Sequence, residues 1–245
     1  MSKLADVFSI NERHILITGA SSGIGREIAV ILAQQGAILG LSGRNTAELE
    51  KTSQMLEGDR HYIIPADLSK VDDTSDIFER ALQAAGKLDG LVYSAGVIPT
   101  VPLQMTTMRK NEEVFRVNFF AFVDMVRNYA KPKFSRGGSI IGISSIASVK
   151  PEKGQTIYAA SKAAMNTAVE AIAQEIYSKG IRINTILPGI TQTTGEQDDN
   201  LQLIVQQQLL GWINPADVGK LCVYLLNDAA KSVSGRRFYI DGARF

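Results

Sequence analysis

The chain alternates short apolar segments with longer segments of helical periodicity, and this order constrains its fold more than any other feature. Short strands that alternate with helices form parallel sheets, with crossovers that are right-handed. The sequence therefore predicts an α/β fold with a doubly wound parallel sheet of seven strands and helices on both faces. The predicted strands are His14–Thr18, Ala37–Ser42, His61–Pro65, Leu88–Ser94, Ser139–Ile143, Ile181–Leu187 and Arg237–Ile240.

The helices are predicted from periodicity and from their end signals. Asn45 with Glu48 resembles a capping box, Gly180 is a C-terminal cap, and Asn214-Pro215 begins the last helix. The predicted helices are Arg26–Gln35, Thr46–Leu56, Val71–Ala85, Asn111–Ala130, Gln155–Lys179, Leu201–Leu210 and Pro215–Leu226.

Composition restricts the class of protein. The 245 residues are 45% hydrophobic and carry no linker or repeat, which predicts a single domain over 1–245. A net charge of +1 offers no basic field, so a nucleic-acid partner is not expected. No apolar run approaches the ~18 residues that span a membrane, and no signal peptide precedes Asn11, so a soluble, cytoplasmic protein is expected. Cys222, His14 and His61 are too few and too scattered for a disulfide or a metal site.

A glycine cluster follows the first predicted strand and opens a helix. Three glycines there let the backbone turn sharply and approach a ligand closely. The amides at the helix start and the positive helix end favour an anion such as a pyrophosphate. The residues predicted to bind it are Gly19, Ser21, Ser22, Gly23, Ile24 and Gly25.

The end of the second strand indicates which nucleotide is bound. An acidic side chain there would hold the ribose hydroxyls of NAD, and none is present. Gly43 leaves room, and Arg44 offers a planar, permanently charged fork that suits a 2′-phosphate. NADP is therefore favoured over NAD, the alternative being that Arg44 is only a solvated loop residue.

Two further strand ends carry candidate cofactor contacts. Asp67 and Leu68 follow the third strand, where Asp67 is equally suited to accept from an adenine amino group or, with Ser69, to cap the next helix. Ala95 and Gly96 follow the fourth strand, where a small loop passes under the nicotinamide side of a cofactor.

Tyr158 and Lys162 are the strongest catalytic candidates. Four residues apart in a predicted helix, they share one face, and a neighbouring cation favours the phenolate and lowers the pKa of a tyrosine. Ser145 lies at the carboxyl end of the preceding strand, on the same edge of the sheet as the glycine cluster. A second Tyr-x-x-x-Lys, at Tyr129, has a proline before its lysine and is predicted to be a helix end.

Asn118 lies inside a predicted helix, where asparagine is unfavourable because its amide competes for backbone hydrogen bonds. It is therefore present for a functional reason or faces solvent.

Taken in order, these motifs resemble those of the short-chain dehydrogenase/reductase family, from about His14 to Gly242. The resemblance implies a Rossmann-like fold in which Tyr158 is the acid/base, Lys162 lowers its pKa and holds the nicotinamide ribose, and Ser145 binds the substrate carbonyl. It also implies that Asn118 supports a water-linked proton relay. The segment with Pro188, Gly189, Thr191 and Thr193 is implied to contact the nicotinamide side of the cofactor.

One motif departs from the family. Where members usually have Asn-Asn-Ala-Gly, this chain has Tyr93-Ser94-Ala95-Gly96, which changes the side chains that brace the central sheet. Family members are commonly homodimers or homotetramers joined through two long helices, and the resemblance implies the same here.

The expected function is hydride transfer between NADP(H) and a small-molecule carbonyl or secondary alcohol. A lid over the substrate is predicted within 189–212, and no lysine or arginine occurs between Ile183 and Gly219, which disfavours an anionic substrate. One alternative is a 3-oxoacyl-[acyl-carrier-protein] reductase, for which Arg136 and Lys179 are candidate carrier contacts, although both also suit solvated charges. The other is a catalytically silent nucleotide-binding regulator.

Overall fold

One parallel sheet forms the centre of the computed structural model, which describes residues 9–70, 72–193 and 205–244. Its seven strands have the order β3-β2-β1-β4-β5-β6-β7. The order reverses between β1 and β4, the point at which open α/β sheets bind ligands. The predicted strands and fold class are confirmed, with ends that shift by a few residues. The strands are β1 His14–Thr18, β2 Ile38–Gly43, β3 Tyr62–Pro65, β4 Leu88–Tyr93, β5 Ser135–Ile143, β6 Ile181–Pro188 and β7 Arg237–Ile240.

Helices cover both faces of the sheet and bury two apolar cores. One core joins the first and last helices through Ile28, Leu32, Val218 and Leu225, and the other contains Phe78, Phe122 and Met165. The helices are α1 Gly23–Gln34, α2 Thr46–Gln54, α3 Ser75–Ala85, α4 Met108–Phe115, α5 Ala121–Tyr129, α6 Thr156–Ile176 and α7 Pro215–Leu226.

The prediction of a single regular α-helix over Asn111–Ala130 is wrong. A π-helical segment, Arg116–Phe120, separates α4 from α5, and the Ala121 amide bonds to the Arg116 carbonyl five residues earlier. A π turn adds one residue without interrupting the helical rod, so hydrophobic periodicity does not reveal it. The end of α5 at Tyr129 agrees with the prediction made from the proline that follows.

The start of α3 also differs from the prediction. The helix begins at Ser75, because the amide and hydroxyl of Thr74 both donate to Asp124 of α5, at 2.7 and 2.8 Å. Asp67 and Ser69 therefore do not cap it. This tertiary contact acts together with a local one, since the Asp73 carboxylate accepts from the Ser75 amide at 3.0 Å.

The other end signals agree with the structure. Asn45 accepts from the Glu48 amide at 3.2 Å, Asn214 accepts from the Ala216 amide at 2.9 Å, and Gly180 has a φ of 69°. Of the helix predicted at Leu201–Leu210, the first four residues lie outside the described residues. Residues 206, 207, 209 and 210 form turns, and Gln208 forms a β-bridge with Arg244. None of the helices in the described part is long and apolar enough to cross a membrane.

Candidate active site

The predicted site residues meet at one edge of the sheet. The strands are parallel, so the carboxyl ends of β1, β4, β5 and β6 bring their following loops together. The glycine cluster, Gly96, Ser145 and Pro188 all follow these strand ends or lie on them.

Gly19 and Gly25 pack so closely against neighbouring backbone that a side chain is excluded at both positions. A Cβ on Gly19, whose φ is 68°, would lie 2.7 Å from the Ala95 nitrogen, and one on Gly25 would lie 2.2 Å from the Gly19 carbonyl oxygen. A Cβ on Gly23 would lie 3.4 Å from the Thr193 methyl carbon, so the segment after β6 reaches the same loop. Because the backbone is bare here, a bound pyrophosphate can approach its amides directly.

The start of α1 suits an anion. Ser22 is its N-cap residue, but its side chain makes no capping hydrogen bond, and the first turn contains no acidic residue. The first amides of the helix are therefore available to a ligand rather than to a side chain. These features fit the phosphates of a dinucleotide.

Arg26 anchors the glycine loop and was missed by the sequence analysis. Its guanidinium donates to the Ser21 carbonyl, to the Thr52 hydroxyl at 2.9 Å and to the Glu48 carboxylate at 2.7 Å. These contacts fix the loop to α2. Arg26 is the fourth residue of α1, and the sequence around it gives no signal of this role, because Glu48 and Thr52 follow β2.

The Arg44 side chain is exposed beside this loop. A Cβ on the neighbouring Gly43 would lie 3.3 Å from the Ser21 hydroxyl, so the end of β2 packs closely against the glycine loop. Within the described residues, Arg44 makes no hydrogen bond or ion pair, unlike Arg26. Its charge is thus free to meet a phosphate.

Asp67 has a local role. Its carboxylate accepts from the Ser69 hydroxyl at 2.7 Å and from the Ser69 amide at 3.1 Å, and these bonds hold its pKa below the usual value. Leu68 beside it is buried. The carboxylate keeps its charge at the end of β3, where an adenine contact stays a prediction.

Tyr158 is buried against Ala147 and Ala159 and hydrogen bonds to Ser145. Burial raises the pKa of its phenol, while the Ser145 hydrogen bond lowers it, and burial is the larger effect. The expected net lowering of this pKa is therefore not found. Ser145 is oriented in turn by the Ala147 amide, which donates to its hydroxyl at 3.1 Å.

Lys162 lies in the same buried region. Its ammonium donates to the Ile143 carbonyl at 2.7 Å, and burial lowers its pKa to about 8. A Cβ on Gly96 would lie 3.4 Å from both the Lys162 ammonium and the Asn118 side-chain oxygen. The Lys162 ammonium and the Asn118 side-chain oxygen therefore both lie close to the backbone of Gly96.

Asn118 does not face solvent; it is fully buried in the π-helical segment. Its side chain accepts from the Val97 amide at 2.9 Å and donates to the Val97 carbonyl at 3.1 Å. It also donates to the Ser161 hydroxyl at 3.0 Å, which in turn donates to the Tyr158 carbonyl at 2.7 Å. Ser161 was missed by the sequence analysis, although a serine three residues after Tyr158 in a helix is well placed for such back-bonding.

Contacts with Gln208 and Ile213 fix the start of the segment after β6. A Cβ on Gly189 would lie 2.3 Å from the Gln208 side-chain oxygen, which accepts from the Ile190 amide at 2.6 Å. Thr191 forms a β-bridge with Ile213. Residues 194–204, the centre of the predicted lid, lie outside the described residues. The lid stays a prediction.

Comparison with known proteins identifies the family. A family model described as Enoyl-(Acyl carrier protein) reductase matches residues 19–243. The chain belongs to the short-chain dehydrogenase/reductase family. Members of this family are oxidoreductases that use a nicotinamide cofactor.

Individual relatives cover almost the whole length. The chain is 30% identical to Carbonyl reductase family member 4 of Danio rerio, over 99% of this chain and 98% of that protein. It resembles a dehydrogenase/reductase from Sinorhizobium meliloti 1021 with a TM-score of 0.92 and 30% identity, covering 100% and 99% of the two chains. It also resembles a 3-oxoacyl (acyl-carrier-protein) reductase from Agrobacterium tumefaciens C58 with NADP bound, with a TM-score of 0.85, 25% identity and coverage of 98% and 97%.

The candidate carrier contacts lie at the other edge of the sheet from the short-chain dehydrogenase/reductase motifs. Arg136 is at the amino end of β5 and donates to the Lys87 carbonyl at 2.8 Å. Lys179 precedes β6 and donates to the Ala130 carbonyl at 3.3 Å. Both charges are already bonded, as expected for structural surface residues.

Proposed function

We propose that the protein transfers hydride between NADP(H) and a carbonyl or secondary alcohol, with Tyr158 as the acid/base. The observation that carries this proposal is the shared burial of Tyr158 and Lys162, with Ser145 bonded to the phenol, at the strand ends that hold the glycine loop. Perturbed titratable groups that are buried together at a ligand-binding edge mark a candidate functional site.

Each side chain has one task in this proposal. The bound cofactor supplies or accepts the hydride. Ser145 donates a hydrogen bond to the substrate oxygen, and Tyr158 protonates the alkoxide that develops there during reduction. Lys162, charged below about pH 8, holds the ribose and stabilises the phenolate that results.

The preference for NADP rests on Arg44. A permanently charged, exposed side chain without a protein partner among the described residues is suited to a 2′-phosphate. The NADP bound to the Agrobacterium reductase supports the same assignment.

Turnover with a panel of ketones and secondary alcohols, followed as nicotinamide absorbance at 340 nm, tests the function. We expect oxidation of NADPH with at least one ketone and a higher kcat/KM for NADPH than for NADH. No turnover across the panel would instead favour the silent nucleotide-binding regulator, and a clear NADH preference would contradict the role of Arg44.

The variant Arg44→Ala is measured in the same turnover assay. It should lower kcat/KM for NADPH by roughly tenfold, the value of one charge-assisted contact, and leave that for NADH unchanged. Arg109→Ala removes an exposed arginine from α4, where it pairs with Glu113, and is the matched control. An equal NADPH/NADH ratio in both variants would show that Arg44 is only a solvated residue.

A 3-oxoacyl thioester on acyl carrier protein is the alternative substrate. The Agrobacterium neighbour supports it, whereas Arg136 and Lys179 do not single it out, because both are bonded at the opposite edge.

A homodimer or homotetramer is part of the proposal. Phe120, which is 57% exposed on the π-helical segment, and exposed Met108 at the start of α4 are apolar groups that a second copy would cover. Light scattering should give a multiple of the 26.6 kDa chain mass, and a monomer mass at micromolar concentration would contradict this.

A further inference from the structure

We infer that Tyr93 is a positioning residue, whose hydroxyl holds the π-helical segment so that Asn118 clamps Val97 beside Gly96. The inference rests on the proposed function for its kinetic consequences. Its structural part is independent of turnover. It concerns the position at which this chain departs from the usual family motif.

Tyr93 is the last residue of β4 and is completely buried. Its hydroxyl donates to the Val117 carbonyl at 2.5 Å, the peptide unit directly before Asn118. Its ring meets Phe122 of α5 edge-on, with centroids 5.4 Å apart. One side chain therefore contacts the helix both within the π turn and just after it.

The π turn positions Asn118. Such turns are rare and are found frequently at functional sites. Asn118 lies within this one and binds both polar groups of the Val97 peptide and the Ser161 hydroxyl. A shift of the π turn would therefore move the Val97 peptide and, through Ser161, the backbone of Tyr158.

The Tyr93 hydroxyl keeps its proton and can therefore donate a hydrogen bond. Burial raises the pKa of this phenol, so it stays protonated across the pH range of the enzyme. The usual motif has an asparagine at this position, and its shorter side chain could not extend as far from β4. The tyrosine therefore provides a contact between β4 and the π-helical segment.

The test compares two variants that each remove one buried hydroxyl. Tyr93→Phe loses the bond to Val117. Tyr129→Phe loses the equivalent bond from a fully buried tyrosine to the Gly137 carbonyl, 2.6 Å long and at the opposite edge of the sheet. Both should lower Tm by a similar amount, about 2 to 8 °C, so stability alone does not separate them.

Kinetics and hydrogen exchange separate them. Tyr93→Phe should lower kcat by about tenfold, with KM and the Kd for NADPH unchanged, because a small misplacement of catalytic groups is costly. Exchange of the Val97 amide and of peptides over 115–122 should become faster in Tyr93→Phe relative to Tyr129→Phe.

Equal exchange in the two variants, or an unchanged kcat in an active Tyr93→Phe enzyme, would overturn the inference and leave Tyr93 as a packing residue. A wild-type protein without turnover would refute the proposed function instead. The exchange comparison would still decide the positioning role, because it needs no substrate.

Discussion

Tyr158→Phe is expected to lower kcat by ~10²-fold or more, while NADPH binds with unchanged affinity. The substitution removes only the hydroxyl that would protonate the substrate oxygen. The ring stays in its apolar contact with Ala147, and Lys162 keeps its bond to the Ile143 carbonyl. Steady-state kinetics with NADPH and the best ketone of the panel, together with NADPH fluorescence titration, measure both quantities.

The matched control is Tyr177→Phe. Tyr177 follows the other end of α6 and is 73% exposed, so losing its hydroxyl should change neither kcat nor Kd. Undiminished turnover in Tyr158→Phe would refute its assignment as the acid/base. A parallel loss of NADPH binding would show instead that the phenol mainly orders the cofactor site.

Gly25→Ala is expected to weaken NADPH binding by roughly 10²-fold. The added Cβ would lie 2.2 Å from the Gly19 carbonyl oxygen and 3.2 Å from the Ser94 hydroxyl, so the glycine loop must shift. A shift that breaks one or two charge-assisted bonds between amides and phosphate gives an effect of that size. Fluorescence titration measures Kd, and circular dichroism checks that the variant is folded.

Gly180→Ala controls for the cost of replacing a glycine. Gly180 has a φ of 69°, but a Cβ there would meet nothing within 4 Å, and the residue lies at the edge of the sheet opposite the site. This variant should lose about 1 kcal/mol of stability and keep its affinity for NADPH. Equal affinities in the two variants would mean that the glycine loop does not contact the nucleotide.

The residues brought together at the sheet edge were largely predictable, because the relevant information is local. Each strand is an apolar run next to a turn signal, and parallel strands place their carboxyl ends together whatever the details of packing. The positions of Gly19, Ser145 and Tyr158 on one edge follow from that rule. The proline after Tyr129 correctly predicted a helix end there.

The polar contacts inside the site were not predictable in the same way. Asn118, Val97 and Ser161 are distant in sequence, and their bonds depend on a single inserted residue in a helix that periodicity cannot detect. Arg26 was overlooked for the same reason, since its partner Glu48 follows another strand. The start of α3 likewise involves Asp124, fifty positions away from Thr74.

The pKa values of Tyr158 and Lys162 also depend on contacts that the sequence does not show. From the sequence, Lys162 four residues after Tyr158 predicts a lowered phenol pKa. In the structure both groups are buried, and burial raises the pKa of Tyr158 while it lowers that of Lys162 to about 8. Desolvation depends on every atom around a group, whereas the spacing of two residues fixes only their shared helix face.

The sequence by itself determined the sheet, its edge and the residues along it, because hydrophobic pattern, glycines and helix caps act over a few residues. Only the tertiary structure decided how Tyr93 reaches the π turn, what Asn118 holds, and how strongly Tyr158 and Lys162 are desolvated. Those properties arise where separate segments meet, and the free energy of such contacts depends on distances that no local pattern contains.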